Sequence, residues 1–185
     1  TFVPLSDVPK IDSSESGSGY HGWRFSNWQT NRHFNYVSES ERDLLTDEMS
    51  AEWFEKKIDW IRQNQKNNQP FFIATGFIRP HTPLVVPKKY YDKFPLNEIR
   101  ITEKLKNDLM DTKFINNLKE TRGQKAWRLL SQGYGSEDKG LKIFTQAYLA
   151  SVNFVDEMVG RVLDAIDNSI YANNTIVILF SDHGY

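Results

Sequence analysis

Residues 175–180, Thr-Ile-Val-Ile-Leu-Phe, restrict the fold more than any other stretch of the chain. This apolar and β-branched run lacks the polar alternation of a half-buried strand and is too short for a buried helix. It is the pattern of a strand covered on both faces, as in a parallel sheet sandwiched between helices. Open α/β sheets gather their ligands outside the carboxyl ends of the strands. Here that end carries Ser181-Asp182-His183-Gly184.

A carboxylate and an imidazole side by side, with a Gly that lets the backbone turn, can offer an oxygen and a nitrogen to one cation. Asp182 and His183 are therefore candidate metal ligands. The same four residues also suit a plain turn with Asp182 capping a following helix. On the tetrapeptide alone both readings stand. Asn173-Asn174-Thr175 matches a glycosylation sequon but reads better as the turn before the strand.

Upstream, Ala51, Phe54, Ile58 and Ile61 recur at helical spacing, with Trp53 and Trp60 widening the apolar face. A helix is expected from an N-cap at Asp47 to about residue 65. Asn67-Asn68-Gln69-Pro70 ends it, and residues 71–77 read as a second buried strand. Next comes Ile78-Arg79-Pro80-His81-Thr82-Pro83, in which two prolines fix their own φ and push the preceding residues toward extended backbone. The His81 imidazole is thus expected on a rigid hook at a strand end. Arg79 beside it is either a cation for an anionic substrate or a surface residue paired with an acid.

Residues 87–94 are expected to form a short helix opened by Pro87. The longest expected helix spans residues 141–166, with an apolar stripe of Phe144, Ala147, Ser151, Phe154, Val155, Met158, Val162 and Ile166. Asp156, Glu157 and Asp164 fall on its solvated face. Helix then strand, twice over, is the layering of an α/β fold: part of a mostly parallel sheet flanked by helices, and incomplete.

The remainder reads more plainly. Residues 1–46 are loop-rich, with Ser and Gly over 13–19 and aromatic residues Tyr20, Trp23, Trp28 and Tyr36 that either pack the loop or stack on sugar rings. Residues 99–140 form an irregular or helical insertion, with Leu105, Leu109, Trp127 and Leu130 as core contacts. The organisation is thus 1–46, 47–98, 99–140 and 141–185 within one incomplete domain.

Composition excludes some partners. The formal net charge of −1 comes without a basic run, which argues against nucleic acid and anionic membrane surfaces. No apolar stretch approaches the roughly 20 residues of a membrane span, and no signal-peptide pattern opens the chain. Cys is absent, so disulfides and thiolate metal sites are excluded.

Two blocks together resemble the sulfatases of the alkaline-phosphatase-like superfamily. One is AYLASVNFVDEMVGRVLDAID followed by NNTIVILFSDHGY. The other is PFFIATGFIRPHTPLVVPKKYYDKFP, residues 70–95, which is most similar to the iduronate-2-sulfatase-like branch. They cover rather less than half the chain.

The resemblance implies hydrolysis of a sulfuric ester, on a small molecule or a saccharide, by a formylglycine and divalent-metal mechanism. It makes Asp182 and His183 ligands of a divalent cation, normally calcium, although imidazole suits zinc or manganese better. It makes His81 the active-site histidine that meets the sulfate or its leaving oxygen, with Arg79 as a further substrate contact. It implies export to periplasm, cell surface or lysosome.

The C/S-x-P-x-R signature that yields formylglycine is absent. The chain starts at Thr1 and stops after a strand pattern, so an interior piece of a longer enzyme, inactive by itself, is expected. The alternatives are a phosphodiesterase or phosphonate hydrolase of the same superfamily, and a noncatalytic degenerate homologue.

Overall fold

The computed structural model describes residues 42, 44–64, 69–81, 84, 86–103 and 136–184. Three helices stand among them: α1 (Thr46–Asn64), α2 (Lys88–Tyr91) and α3 (Glu137–Asp167). The expectations at Tyr20, Trp23, Trp28, Tyr36, Leu105, Leu109, Trp127 and Leu130 lie outside the described residues.

Helix α3 is 31 residues long and starts earlier than its apolar stripe suggests. Ser136 is its N-cap: in extended conformation, it accepts the Lys139 N–H at 3.3 Å, and Glu137 and Asp138 favour the positive end of the helix. Gly140, which reads as a boundary in the sequence, sits inside the first turn because the cap lies ahead of it. Along the helix Ala147, Ala150, Ser151, Phe154, Met158 and Ile166 are buried, following the expected stripe. Ser151 spends its hydroxyl on the Ala147 carbonyl one turn back, at 2.8 Å, so a polar residue costs little there. Asp156, Glu157 and Asp164 are exposed as expected.

Both other helices pack on α3. Helix α1 buries Ala51, Phe54, Ile58 and Ile61, the four residues picked out by spacing. Trp60 departs from expectation and is 52% exposed. It follows Ile58 by two residues, about 200° around the helix from the stripe. Its ring instead carries the Lys57 ammonium 3.9 Å from the centroid. Helix α2 is a single turn, shorter than the expected 87–94, with Pro87 as the residue before it rather than its first.

The interior divides in two. In one cluster Leu45 and Ala51 meet Leu84, Val86, Tyr90 and Tyr91 over Ala147, Ala150, Phe154 and Met158. The Tyr90 and Phe154 rings meet edge to face, with centroids 5.2 Å apart. In the other, Phe54, Ile58 and Ile166 gather Trp53, Phe71, Ile73, Val162, Ala165 and Tyr171. A two-pronged bond from Arg161 to Glu55, 2.7 Å on each arm, ties α1 to α3 at the surface. Gln146 donates to the Phe94 carbonyl at 2.8 Å and ties the segment after α2 to α3.

The two expected strands are not formed as strands among the described residues. Over 71–77 burial alternates: Phe71, Ile73, Thr75 and Phe77 are half-buried, while Phe72, Ala74 and Gly76 are exposed. That is the two-residue period of a strand with one face packed. Residues 176–180 are exposed throughout, with Ile176 at 89% and Phe180 at 83%. A strand exists as half of a hydrogen-bonded ladder, and neither segment has a ladder partner among the described residues. The sheet of the expected α/β class is therefore not seen in the described part.

Phe154→Ala is expected to cost about 3–5 kcal/mol, the range for emptying a buried aromatic site. Trp60→Ala should stay within about 0.5 kcal/mol, as for an exposed position. Urea unfolding of the two variants checks the contrast.

Candidate functional site

The chain leaves its half-buried extended segment in a turn over residues 78–81. The His81 N–H donates to the Ile78 carbonyl at 2.8 Å and closes it, with a cis Arg79–Pro80 peptide between. His81 is exposed at the end of this turn. Arg79 is only 8% exposed, with Nη1 3.6 Å from Oδ2 of Asp47. The cation read from the sequence as facing substrate or surface is thus committed to an interior carboxylate.

Asp47 is completely buried in the first turn of α1. It is not the N-cap the sequence suggests. Helix α1 begins one residue earlier, and Glu48 closes its end: its carboxylate accepts the Leu45 N–H at 2.8 Å and both arms of Arg42, at 2.7 and 2.6 Å. Asp47 is left to reach out of the helix. Its Oδ1 accepts the Ile78 N–H at 2.5 Å, 31 residues away in sequence.

Burial pushes the Asp47 carboxyl above the ordinary carboxylate range, while Arg79 and the N–H groups of Ile78 and Arg79 pull it back. Burial likewise lowers Arg79, opposed by Asp47. Arg79 nevertheless keeps its proton, as guanidinium does in proteins. Farther along, Leu84 and Val86 are fully buried, and the Tyr91 hydroxyl donates to the Leu84 carbonyl at 2.6 Å. The loop that carries His81 is therefore tied to α1 before the imidazole and to α2 after it.

Asp182 and His183 are exposed at the end of the apolar run. Asp182 Oδ1 accepts the His183 N–H at 3.0 Å, and its Oδ2 stands 3.7 Å from His183 Nε2. His183 Nδ1 lies 2.6 Å from the Gly184 carbonyl. A proton on Nδ1 satisfies that carbonyl and leaves Nε2 with a lone pair, the arrangement of a ligating histidine. The same carbonyl, followed by Asp182, raises the His183 pKa above its usual value.

Two donors each about 2.4 Å from one ion can stand up to roughly 4.8 Å apart, so this pair suits a shared divalent cation in type and in spacing. Among the described residues no group of three or more His, Asp or Glu side chains forms a metal cage, so His81 is not joined to Asp182 and His183 in one. A shallow groove of about 410 Å³ between α1 and α3 is lined by Glu55 and Arg161 among others, and by none of the four candidate residues.

A family model described as Sulfatase matches residues 11–185. The chain is 38% identical over 177 residues to a protein named Sulfatase from Formosa agariphila, covering 94% of this chain and 31% of that one. It is 32% identical over 154 residues to Iduronate 2-sulfatase of Mus musculus, covering 80% and 27%. It is 33% identical over 129 residues to Arylsulfatase of Clostridium perfringens, covering 70% and 25%. The chain thus spans less than a third of the length of these curated relatives. No solved structure matches it significantly.

Sequence reading names His81, Asp182 and His183 as candidates and does not find the buried contacts of Asp47. Its partners lie 31 residues downstream, and no local pattern announces a bond of that range. Arg79→Ala should cost about 3–5 kcal/mol, because it leaves a buried carboxylate uncompensated. His81→Ala should cost no more than about 0.5 kcal/mol. Equal losses in thermal or urea unfolding would contradict the burial difference.

Proposed function

The chain belongs to the sulfatase family, and from that premise we propose that it forms part of the active site of a sulfuric ester hydrolase acting on a sulfated carbohydrate. The observation that carries the reading is the exposed imidazole of His81, at the end of a turn whose Arg79 side chain is buried and whose backbone is anchored at Ile78. An imidazole is a ring N–H donor, and one carried on an anchored backbone avoids the cost of being ordered at each turnover.

Cleaving a sulfate ester requires a nucleophile to bond to sulfur, the S–O bond to the alcohol to break, and the departing oxygen to gain a proton. His81 is proposed to donate a ring N–H to the sulfate or to that oxygen, favouring the transition state as charge moves onto the leaving group. Asp182 Oδ2 and His183 Nε2 are proposed as two ligands of a divalent cation, calcium by family habit. When bound, such an ion supplies positive charge against the sulfate oxygens.

A formylglycine nucleophile is proposed to lie outside these residues, since none of them forms its precursor signature. Export from the cytoplasm is proposed on family habit. No described helix is long and apolar enough to cross a membrane.

The test is turnover of an aryl sulfate against a bis-aryl phosphate by the full-length protein. Faster sulfate release supports the reading, and cleavage of the phosphodiester alone overturns it. His81→Ala should lower kcat by about 10²–10⁴, the range for a positioned proton donor. Chelation should abolish turnover. Asp182→Asn should raise the metal concentration needed to restore it by at least the roughly 10–100-fold that follows loss of a ligand's hydrogen-bond partner. Metal content by mass spectrometry and metal titration of activity read both effects.

A further inference from the structure

We propose that Asp47 is a positioning residue for His81, holding the turn at residues 78–81 from the first turn of α1 so that the imidazole is presented in one place. The proposal rests on the reading of His81 as the substrate-facing histidine.

Asp47 has no solvent exposure, and its carboxylate is directed to residues far along the chain. Oδ1 holds the Ile78 N–H at 2.5 Å, the first backbone group of the turn. Oδ2 faces the Arg79 guanidinium at 3.6 Å and makes no hydrogen bond among the described residues. One carboxylate thus engages two consecutive residues, one through the main chain and one through the side chain. The next link is the His81 N–H bonded to the Ile78 carbonyl at 2.8 Å. From Asp47 to the imidazole there is one continuous path: carboxylate, Ile78 peptide groups, His81 backbone.

The anchor is rigid at its own end. Leu45 and Ala51, on either side of Asp47, belong to the cluster on α3, and Glu48 caps the same turn of the helix. A loop tip is ordinarily mobile, whereas a group that must meet a reacting atom has to be held within about 0.5 Å. A buried charged acceptor on a packed helix meets that need better than a surface contact, because a hydrogen bond to a charged group is worth roughly twice a neutral one.

Asparagine at 47 retains one oxygen for the Ile78 N–H but turns an amide, without charge, toward Arg79. Glutamate retains the charge and places it one methylene farther out. Both disturb the path while leaving a polar group in the same space.

The test is a double-mutant cycle on aryl sulfate hydrolysis by the full-length protein, with Asp47→Asn, His81→Ala and the pair, and with Asp47→Glu in parallel should the Asn variant fail to fold. Displacing a reacting group by about 1 Å costs about 10²-fold, so either substitution at 47 should lower kcat by that order with His81 present. It should lower it less than about threefold in the His81→Ala background, because residues acting through one another are not additive. Hydrogen exchange of the peptide spanning residues 70–81 should quicken in the folded variant, whatever its turnover.

Equal loss in both backgrounds, no loss at all, or unchanged exchange of that peptide overturns the role of Asp47 while leaving that of His81 intact. A His81→Ala protein with full activity overturns the reading of His81, and the positioning role with it.

Discussion

Burial of one face of α3 organises the described structure. Its stripe from Ala147 to Ile166 gives α1 and α2 a shared floor, and each helix then contributes one tie to the loop that carries His81. Helix α1 supplies Asp47 before the imidazole, and α2 supplies the Tyr91 hydroxyl after it, bonded to the Leu84 carbonyl. The imidazole is therefore located by packing at a distance. Its nearest sequence neighbours, the prolines that make the segment look rigid on paper, restrict local angles and do not say where the hook points.

The helices were legible because their signal is local. A stripe at helical spacing needs only one buried face, so Ala51, Phe54, Ile58 and Ile61 came through complete, and on α3 so did Ala147, Ser151, Phe154, Met158 and Ile166, while Phe144, Val155 and Val162 are half-buried and buried Ala150 was not foreseen. Errors arose where an apolar residue sat off the stripe, as at Trp60, and where a cap lay beyond the periodic run, as at Ser136. Strand patterns were legible in a weaker sense. The half-buried alternation over 71–77 is present, but a strand becomes one only through a hydrogen-bonded neighbour. A run as apolar as 175–180 marks a segment suited to burial without saying what buries it.

The candidate site divided along the same line. His81, Asp182 and His183 announce themselves by residue type beside Pro or Gly. What sequence could not supply was the environment of each: Arg79 buried rather than presented, and Asp47 turned away from its own helix end. The acid and imidazole at 182 and 183 stand exposed with Nε2 and Oδ2 on hand, yet they amount to two donors, where a calcium ion takes 6–8 oxygen ligands. The divalent cation proposed there would need further donors, and a mixed oxygen and nitrogen pair does not by itself choose the metal.

Energetics decides how the interior pair of Asp47 and Arg79 is to be understood. Taking both charges out of water opposes folding, and exchange of a buried ion pair for apolar side chains of like volume is often neutral or favourable. The present pair is also a loose one: at 3.6 Å, with no hydrogen bond to Oδ2, it recovers less than a two-pronged contact such as that of Arg161 with Glu55. A side chain selected for stability alone at this position would be apolar. What a carboxylate supplies that an apolar residue cannot is direction: one acceptor fixed on the Ile78 N–H and a charge that draws Arg79 inward. Arg79 lies inside the turn that the His81 N–H closes on the Ile78 carbonyl. The cost of burying the pair is thus the physical reason to attribute to it geometry at the site rather than strength in the core.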